Sequence, residues 1–309
     1  MPLETLVPPA PETASVQPPE ATTALPAVRF PHRLLPQFDR ALSARTALLQ
    51  ALVAEVEFAM DLAADGAIPQ AKRIHGLRRS LRRARAVVRL LRPSVPQPLR
   101  VSVDEALATV GRSLSGERDA EILPSALANL PDGTGPGMAD LHAVLWRQRE
   151  EARTAPGPAA ALATAVEALA GIPALFAEIV PETLDWPDLG EGLQASWKRA
   201  RKALRKAGTR PSPRRIHAWR KSLKDLRHQL GLFGCANDEV ARLTRDLGEI
   251  TDLLTLRRWA STAQAGRAGR KVHKSVLAEV RGRFPELVER GEQVLGKANR
   301  KSLLRDLPR

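Results

Sequence analysis

The sequence contains one cysteine, Cys235, and no tyrosine among 309 residues. A single cysteine cannot form a disulfide within the chain or supply a cysteine-based zinc cluster. Aromatic residues make up only 4% of the chain, which leaves few rings on which nucleic-acid bases could stack. No uncharged apolar run reaches the roughly 18 residues of a membrane helix, and residues 1–20 lack the lysine or arginine that begins a signal peptide. We therefore expect a soluble, cytoplasmic protein without membrane contacts.

Positive charge is present in excess. Lysine and arginine together number 48 and aspartate and glutamate 34, which gives a net charge of +14. Such a surface attracts polyanions, because binding relieves repulsion between the cations and releases counterions. The hydrophobic fraction of 43% and the charged fraction of 27% are typical of a folded globular chain. The length corresponds to one or two domains.

Helical periodicity dominates the chain after residue 30. Residues 1–30 are rich in proline and poor in large apolar residues, which predicts a disordered tail. One amphipathic pattern ends at Asp65 and Gly66, and a second runs from Pro69 to about Arg92. Further predicted helices cover residues 99–112, 119–130, 139–154, 159–170, 193–207, 213–233, 239–265 and 272–303, the last interrupted near Pro285.

The overall pattern predicts an all-α protein in two halves. No segment alternates apolar and polar residues in the manner of a half-buried β-strand. The segment PETLDWPDLG at residues 181–190 breaks the helical pattern, and we interpret it as a hinge. The two halves then cover about residues 31–180 and 189–309.

An internal repeat relates the two halves. RIHGLRRSLRRAR at residues 73–85 aligns without gaps to RIHAWRKSLKDLR at residues 215–227. A weaker pair follows in the same order, LSGERDAEIL at residues 114–123 and LGEITDLLTL at residues 247–256. Two matches in the same order indicate a duplication.

Each repeated segment has one cationic face when it is placed on a helix. Leu77 and Leu81 fall on the opposite side of the first copy, as Trp219 and Leu223 do in the second. Another basic stripe precedes the second copy, and antiparallel packing of the two helices would bring both stripes to one groove. The stripes consist of Lys72, His75, Arg78, Arg79, Arg82 and Arg89 in the first copy, of His217, Arg220, Lys221, Lys224 and His228 in the second, and of Lys198, Arg201, Lys202 and Arg205 before it.

These faces lack the acidic residues that normally accompany basic ones on a solvated helix. Residues 69–103 contain ten lysines and arginines and no acid, and residues 197–228 contain thirteen and only Asp225. Like charges one turn apart destabilise a helix by a few tenths of a kcal/mol per pair. A basic face kept for solubility would also show this composition, but its duplication favours a polyanionic ligand.

The two motif copies resemble a known family. The pattern His-x-x-Arg-(Arg/Lys)-x-x-(Arg/Lys), at His75 and at His217, is similar to that of the CHAD domain, the conserved histidine α-helical domain. The Arg118–Asp119 pair and the basic segment LQASWKRARKALRKA add to the resemblance, which covers about residues 31–309. It implies two pseudo-symmetric bundles of about four helices each around a basic groove or pore. Members of the family bind inorganic polyphosphate, and some associate with polyphosphate granules in bacteria.

The resemblance also implies individual contacts. It assigns polyphosphate contacts to both motif copies and adds Arg118, whose neighbour Asp119 would orient a cation. The second copy departs from the first, because Thr251 stands in the place of Arg118 and Asp225 interrupts the basic row. The complete expected polyphosphate-binding set is Lys72, His75, Arg78, Arg79, Arg82, Arg89, Arg118, Lys198, Arg201, Lys202, Arg205, His217, Arg220, Lys221, Lys224 and His228.

We predict a binding protein rather than an enzyme, with no catalytic residue, metal or cofactor. The six histidines show no HExxH-type ligand spacing, and no glycine-rich nucleotide loop occurs. Glu55 and Glu57 lack the lysine of the Glu-x-Glu-x-Lys signature found in the triphosphatase domains that often accompany CHAD domains. An intrinsic phosphatase activity remains the less favoured alternative.

The predicted function is non-catalytic binding of inorganic polyphosphate, in the bacterial cytoplasm and at polyphosphate granules. The alternative is a helical protein that binds polyanions in general or nucleic acid. No duplex-reading motif occurs, and Trp197 and Trp219 fall on the apolar sides of their helices, so nucleic acid is not expected as a specific partner. Docking of acidic proteins is a third option that suits a long cationic stripe less well.

Overall fold

A computed structural model describes residues 37–114, 116–131, 133, 138–155, 157–262 and 266–296; it leaves out the side chains at 116–119, 158 and 267. The predicted disordered tail, residues 1–30, lies outside the described residues. Among these residues no β-strand occurs, which confirms the all-α fold class. The helices are α1 (Ala44–Ala64), α2 (Gln70–Val88), α3 (Gln97–Ser113), α4 (Gly116–Ala128), α5 (Ala139–Thr154), α6 (Gly157–Ala170), α7 (Ile172–Ile179), α8 (Trp186–Thr209), α9 (Pro213–Leu232), α10 (Asp238–Ala260) and α11 (Gly266–Val294).

The predicted start of α8 is wrong by two turns. The helix begins at Trp186, inside the segment that was interpreted as a hinge, and not at Leu193. Asp185 accepts a hydrogen bond from the backbone N–H of Asp188, and the Asp188 carboxylate accepts one from the backbone N–H of Asp185. This reciprocal cap satisfies two N–H groups at the helix end, and Pro187 fits the first turn, where no donor is needed.

Pro285 does not interrupt the last helix, so that prediction is also wrong. Helix α11 continues through Pro285 from Gly266 to Val294. The flanking residues Phe284 and Leu287 are 6% and 5% exposed. Burial of these side chains offsets the backbone hydrogen bond that proline removes, because helix stability in a protein comes mainly from tertiary packing.

Other helix bounds also differ from the sequence-based ones, and one helix was not predicted. Helix α2 ends at Val88 and passes into a 3-10 turn at Arg89–Leu91 before Pro93. Helix α7, which was not predicted, begins with a proline in its first turn and buries Ile172 and Phe176. Short helices of this kind are difficult to recognise because eight residues give little more than two periods.

The repeated segments pack against their own copies. Helices α1 and α2 form one antiparallel pair and α8 and α9 the corresponding pair, and α2 contacts α9 directly. In the same way α4 pairs with α5, α10 pairs with α11, and α4 contacts α10. Helices α3, α6 and α7 cover the side of α1 and α2. The two cationic motif helices are therefore neighbours across the centre of the molecule.

The hydrophobic core follows these pairings rather than the order of the chain. The larger cluster joins residues of α1 and α2 to residues of α8 and α9, including Trp197 at 1% exposure and Trp219 at 0%. A second cluster joins α4 and α5 to α10 and α11, with Leu127 and Leu256 at its centre. Each cluster contains helices from both predicted halves, so the halves share their cores.

One segment, Ala159–Ile179, is long and apolar enough to cross a membrane by length and composition alone. Glu167 and Glu178 interrupt its apolar run, so the segment contains no uncharged stretch of about 18 residues. In the structure this segment comprises most of α6 and α7, and Leu169 and Phe176 within it are fully buried in the larger core cluster.

Candidate anion-binding groove

The apolar sides of the two motif helices fix the position of their cationic faces. Leu77 and Leu81 of α2 are 0% and 2% exposed, and Trp219 and Leu223 of α9 are both fully buried. The indole N–H of Trp197 in α8 donates to the carbonyl oxygen of Leu295 at 3.2 Å, which holds the far side of this core. With these faces buried, the cations of α2 and α9 point into the space where the two helices meet.

A first cavity of about 350 Å³ lies between α2, α3 and α9. Its cationic lining comes from both motif copies. The basic residues around it are Arg78, Arg82, Arg85, Arg89, Arg112, His217, Arg220, Lys221, Lys224 and His228.

A second cavity of about 800 Å³ adjoins the first. Four residues line both, namely Arg78 and Arg82 of α2 and Arg220 and Lys224 of α9. The basic residues that line only the second cavity are Lys72, His75, Arg79 and Arg153. We call the two adjoining cavities together the basic groove. Cations from both copies of the repeat thus line both cavities.

A buried ion-pair cluster in the lining of the groove joins the end of α2 and the 3-10 turn after it to α9 and α3. Arg89 donates to both carboxylate oxygens of Asp225, at 2.7 and 2.8 Å, and its Nε lies 3.0 Å from Asp104 of α3. Arg85 binds the same Asp104 with contacts of 3.2 and 2.9 Å. The amide nitrogen of Gln229 donates to the carbonyl oxygen of Ala86 at 2.8 Å, which adds a second bond between the helices.

This cluster changes the role of Arg89. The sequence placed Arg89 in the polyphosphate-binding set, but the residue is only 6% exposed and its guanidinium is occupied by two carboxylates. Although burial opposes its charge, Asp225 and Asp104 raise the pKa of Arg89 above its ordinary value. Asp225, which interrupts the basic row in the sequence, is the inter-helix partner that keeps this arginine charged.

A second buried carboxylate supports α2 from the side of α1. Glu55 is 2% exposed and lies 2.6 Å from Nε of Arg83. The hydroxyl of Ser80 donates to the Glu55 carboxylate and lies 2.8 Å from the Glu55 carbonyl oxygen. The Ser80 position is occupied in the second copy by Ser222, whose hydroxyl bonds its own helix at Ala218 instead. The α1–α2 pair is therefore fixed by a polar contact that the repeat does not conserve.

The groove disfavours positive charge on its own side chains. The pKa of His75 lies below its ordinary value because of burial and of repulsion from Arg82, Arg79 and Lys224. The pKa of Lys221 is lowered in the same way by burial and by Arg89 and Arg85. An anion in the groove would relieve this repulsion and raise both pKa values.

His228 provides a pH-dependent test of the combined effect of burial and repulsion on a histidine of the groove. Its pKa lies well below 6.5 because of burial, followed by repulsion from Lys224, Arg227, Arg83 and Arg82. As the pH falls through about 6.5, His228 becomes protonated in the unfolded state but stays neutral in the folded state. The free energy of unfolding therefore falls. The expected slope is up to about 1.4 kcal/mol per pH unit for this histidine.

Urea unfolding between pH 7.5 and pH 5.5 measures this effect. We expect the free energy of unfolding to decrease over this range, and His228→Gln to reduce the decrease. A free energy of unfolding that rises on acidification, or a slope unchanged in the variant, would contradict the assignment.

The basic stripe of α8 is not part of the groove. Lys198 and Lys202 line a different cavity, together with Arg215 of α9. Arg201 and Arg205 are exposed and line neither that cavity nor the groove. The prediction that the stripes of α8 and α9 line one groove is therefore wrong, because the motif stripe of α9 lines the groove and Arg215 is the cation that α9 adds to the cavity beside α8.

Two further predictions concern α4. Its backbone is described, but the side chains of Arg118 and Asp119 lie outside the described residues. The segment reaches the groove through Glu121 and Ile122, which line the second cavity. Glu121 binds Arg149 of α5 with contacts of 3.3 Å.

Sequence reasoning missed residues that position the cations. Asp104 holds Arg85 and Arg89, and burial that would raise the pKa of its carboxyl is outweighed by these arginines, so the pKa is lowered. Gly248 of α10 leaves room for Arg220, since a Cβ at this position would lie 3.3 Å from Nη2 of that arginine. The available signal for the ion-pair cluster was Asp225, a single acid within a basic segment.

Comparisons with known proteins agree with the sequence resemblance. The family model described as the CHAD domain matches residues 46–265. The crystal structure of the CHAD domain from the plant Ricinus communis is similar, with a TM-score of 0.60 and 19% sequence identity. The match covers 88% of this chain and 97% of that chain, and at this identity it shows the fold alone. No curated protein matches the chain significantly.

Proposed function

Since the chain belongs to the CHAD family, we propose that its basic groove binds inorganic polyphosphate without altering it. The observation that carries the proposal is the set of four cations shared by the two cavities, two from each copy of the repeat. We also propose that the protein acts in the bacterial cytoplasm and at polyphosphate granules, as the resemblance implies.

The shape of the groove suits a linear polymer. Cations continue from Lys72 and His75, in the larger cavity, through Arg82 and Lys224 to Lys221 in the smaller one. A chain of phosphates carries its charge at regular intervals and therefore needs cations along a path rather than around a point. Arginine contributes a planar fork for two phosphate oxygens, whereas lysine contributes a mobile point charge.

The carboxylates around the groove support binding without catalysis. Enzymes that transfer phosphoryl groups often use carboxylates to hold metal ions. Three of the four carboxylates that line the groove are paired with arginines: Asp225 is bound by Arg89, Glu121 lies near Arg149 and Arg153, and Glu105 is 3.0 Å from Arg112. The fourth is Asp252, in the second cavity. Among the described residues no group of three His, Cys, Asp or Glu side chains is arranged to hold a metal ion.

The tryptophans favour polyphosphate over single-stranded nucleic acid. Stacking of bases requires accessible rings. Trp197 and Trp219 are 1% and 0% exposed. The exposed Trp146 lies on α5, is covered on one face by Arg149 at 4.6 Å, and lines neither cavity of the groove.

A competition titration tests the proposal. Labelled long-chain polyphosphate is bound at about 150 mM salt, where non-specific contacts with phosphates are weakened. Unlabelled polyphosphate, RNA and duplex DNA are then added at equal phosphate concentration, with free phosphate as a further competitor. We expect polyphosphate to displace the label at concentrations about 100-fold lower than either nucleic acid, because only polyphosphate fits the full row of cations. Equal competition by all polymers would show a general polyanion surface instead.

A further inference from the structure

A third cavity, of about 540 Å³, lies between α8 and α9. It shares no lining residue with the basic groove. Its lining contains no acidic residue, and we call it the α8–α9 cavity. Six cations line it, namely Arg92, Lys198, Arg199, Lys202, Lys206 and Arg215.

The third cavity opens on another side of α9 from the groove. Ala218 and Ser222 face it, whereas His217 and Lys221, each one residue earlier, line the groove. The Arg89–Asp225 ion pair belongs to the lining of the groove and not to that of the third cavity. The two sites are therefore separated by the body of α9 and by this buried pair.

One arginine that lines the third cavity, Arg92, and its neighbour Arg100 each have a buried nitrogen without a hydrogen-bond partner. Nη1 of Arg92 is buried and has no hydrogen-bond acceptor among the described residues, and the same holds for Nε of the adjacent Arg100. Burial lowers the pKa of Arg92 to about 10, with a further contribution from repulsion by Arg199. The pKa of Arg100 is lowered as well, by burial and then by Arg199. A buried guanidinium nitrogen without an acceptor is unfavourable, and a bound anion would supply the missing acceptor.

We propose that the α8–α9 cavity is a second anion site that binds a condensed phosphate of at least two phosphoryl groups. Lys198, Lys202 and Lys206 lie on successive turns of α8 and span about 12 Å along the helix. This row is longer than one phosphate, and Arg92 and Arg199 add forks for further oxygens. The inference goes beyond the proposed function, because the groove could bind polyphosphate with this cavity empty.

The test uses inorganic tripolyphosphate, which is short enough to occupy the two sites independently. Isothermal titration of the full chain is expected to show two binding sites. The variant Arg199→Gln/Lys202→Gln should lose one of them, with an affinity loss of roughly tenfold or more per contact removed. Both side chains are exposed, so the variant should fold normally. The matched control Arg242→Gln/Arg245→Gln removes two exposed charges from α10, away from all three cavities, and should keep both sites.

The outcomes separate this inference from the proposed function. A single site in the unmodified protein, or two sites in Arg199→Gln/Lys202→Gln, would overturn the second site and leave the groove untouched. Conversely, a groove variant, Arg82→Gln/Lys224→Gln, that keeps two sites would contradict the proposed function alone.

Competition by long-chain polyphosphate then shows whether the second site binds the polymer or a short oligophosphate. Displacement of tripolyphosphate from both sites supports the polymer as the ligand of the second site, and displacement from the groove alone supports a short oligophosphate.

Discussion

Reversal of two charges in the groove, Arg82→Glu with Lys224→Glu, is expected to weaken polyphosphate binding by about 100-fold or more. Arg82 comes from the first copy of the repeat and Lys224 from the second, and both line both cavities. Each charge-assisted hydrogen bond that is lost contributes about 1.5–3 kcal/mol. The new carboxylates add repulsion of the polymer to that loss. Equilibrium binding at about 150 mM salt measures the change.

The control for this prediction has the same net charge. Arg242→Glu with Arg245→Glu makes the same change at exposed positions of α10 that line none of the cavities. We expect a loss of no more than a few-fold in the control, because distant surface charges are largely screened beyond about 8 Å at this ionic strength. Equal losses in both variants would show that overall charge, and not the groove, determines the affinity. Circular dichroism should show unchanged helicity in both proteins.

Removal of the carboxylate of Asp225 is expected to produce the largest loss of stability. In Asp225→Ala, Arg89 stays buried at 6% exposure while it loses a bidentate partner from the neighbouring motif helix. Removal of one partner from a buried pair typically costs about 3–5 kcal/mol. Because Asp104 still pairs with Arg89 at 3.0 Å, we expect the lower end of this range, about 3 kcal/mol. Urea unfolding at pH 7.5 provides the measurement.

Two further variants show whether the burial of Arg89 causes the loss of stability in Asp225→Ala. Glu105→Ala removes the acid from a pair with Arg112 whose side chains are 56% and 62% exposed, and its expected effect is below about 1 kcal/mol. The double variant Arg89→Met with Asp225→Leu removes both charges, and we expect it to recover part of the lost stability. A loss in Asp225→Ala no larger than that in Glu105→Ala would mean that the pair does not fasten α2 to α9.

The sequence was sufficient to predict the fold class and the cationic faces. The absence of alternating segments and the 3.6-residue periodicity are local properties, so they predict helices directly. The gapless repeat at residues 73–85 and 215–227 identified both motif helices, which the structure places side by side at the groove. The predicted binding residues on α2 and α9 line the groove, and so does Arg89 in the turn after α2, to which the structure gives an ion-pairing role.

The remaining features depend on tertiary contacts that no local pattern reports. Lys198 and Lys202 carry the same charge as Lys221, but the packing of α8 against α9 turns them to another cavity. Asp104 follows a basic segment, and nothing in the sequence around it predicts its ion pairs with Arg85 and Arg89. These pairs depend on the packing of α3 against α2. Pro285 predicts a helix break from the sequence, but α11 continues through it because the nearby side chains of Phe284 and Leu287 are buried.

The central claim is that both motif helices bind polyphosphate through one groove, and lysine-selective labelling read by mass spectrometry tests it most directly. Lys221 and Lys224 of α9 and Lys72 of α2 line the groove, and the lowered pKa of Lys221 increases the fraction of its amine that is uncharged and able to react. Lys271 and Lys274, which are exposed on α11 away from the groove, serve as internal controls. With saturating polyphosphate, we expect strong protection of the groove lysines and none of the controls. Uniform protection of all five, or unchanged labelling of Lys221 and Lys224, would contradict the claim.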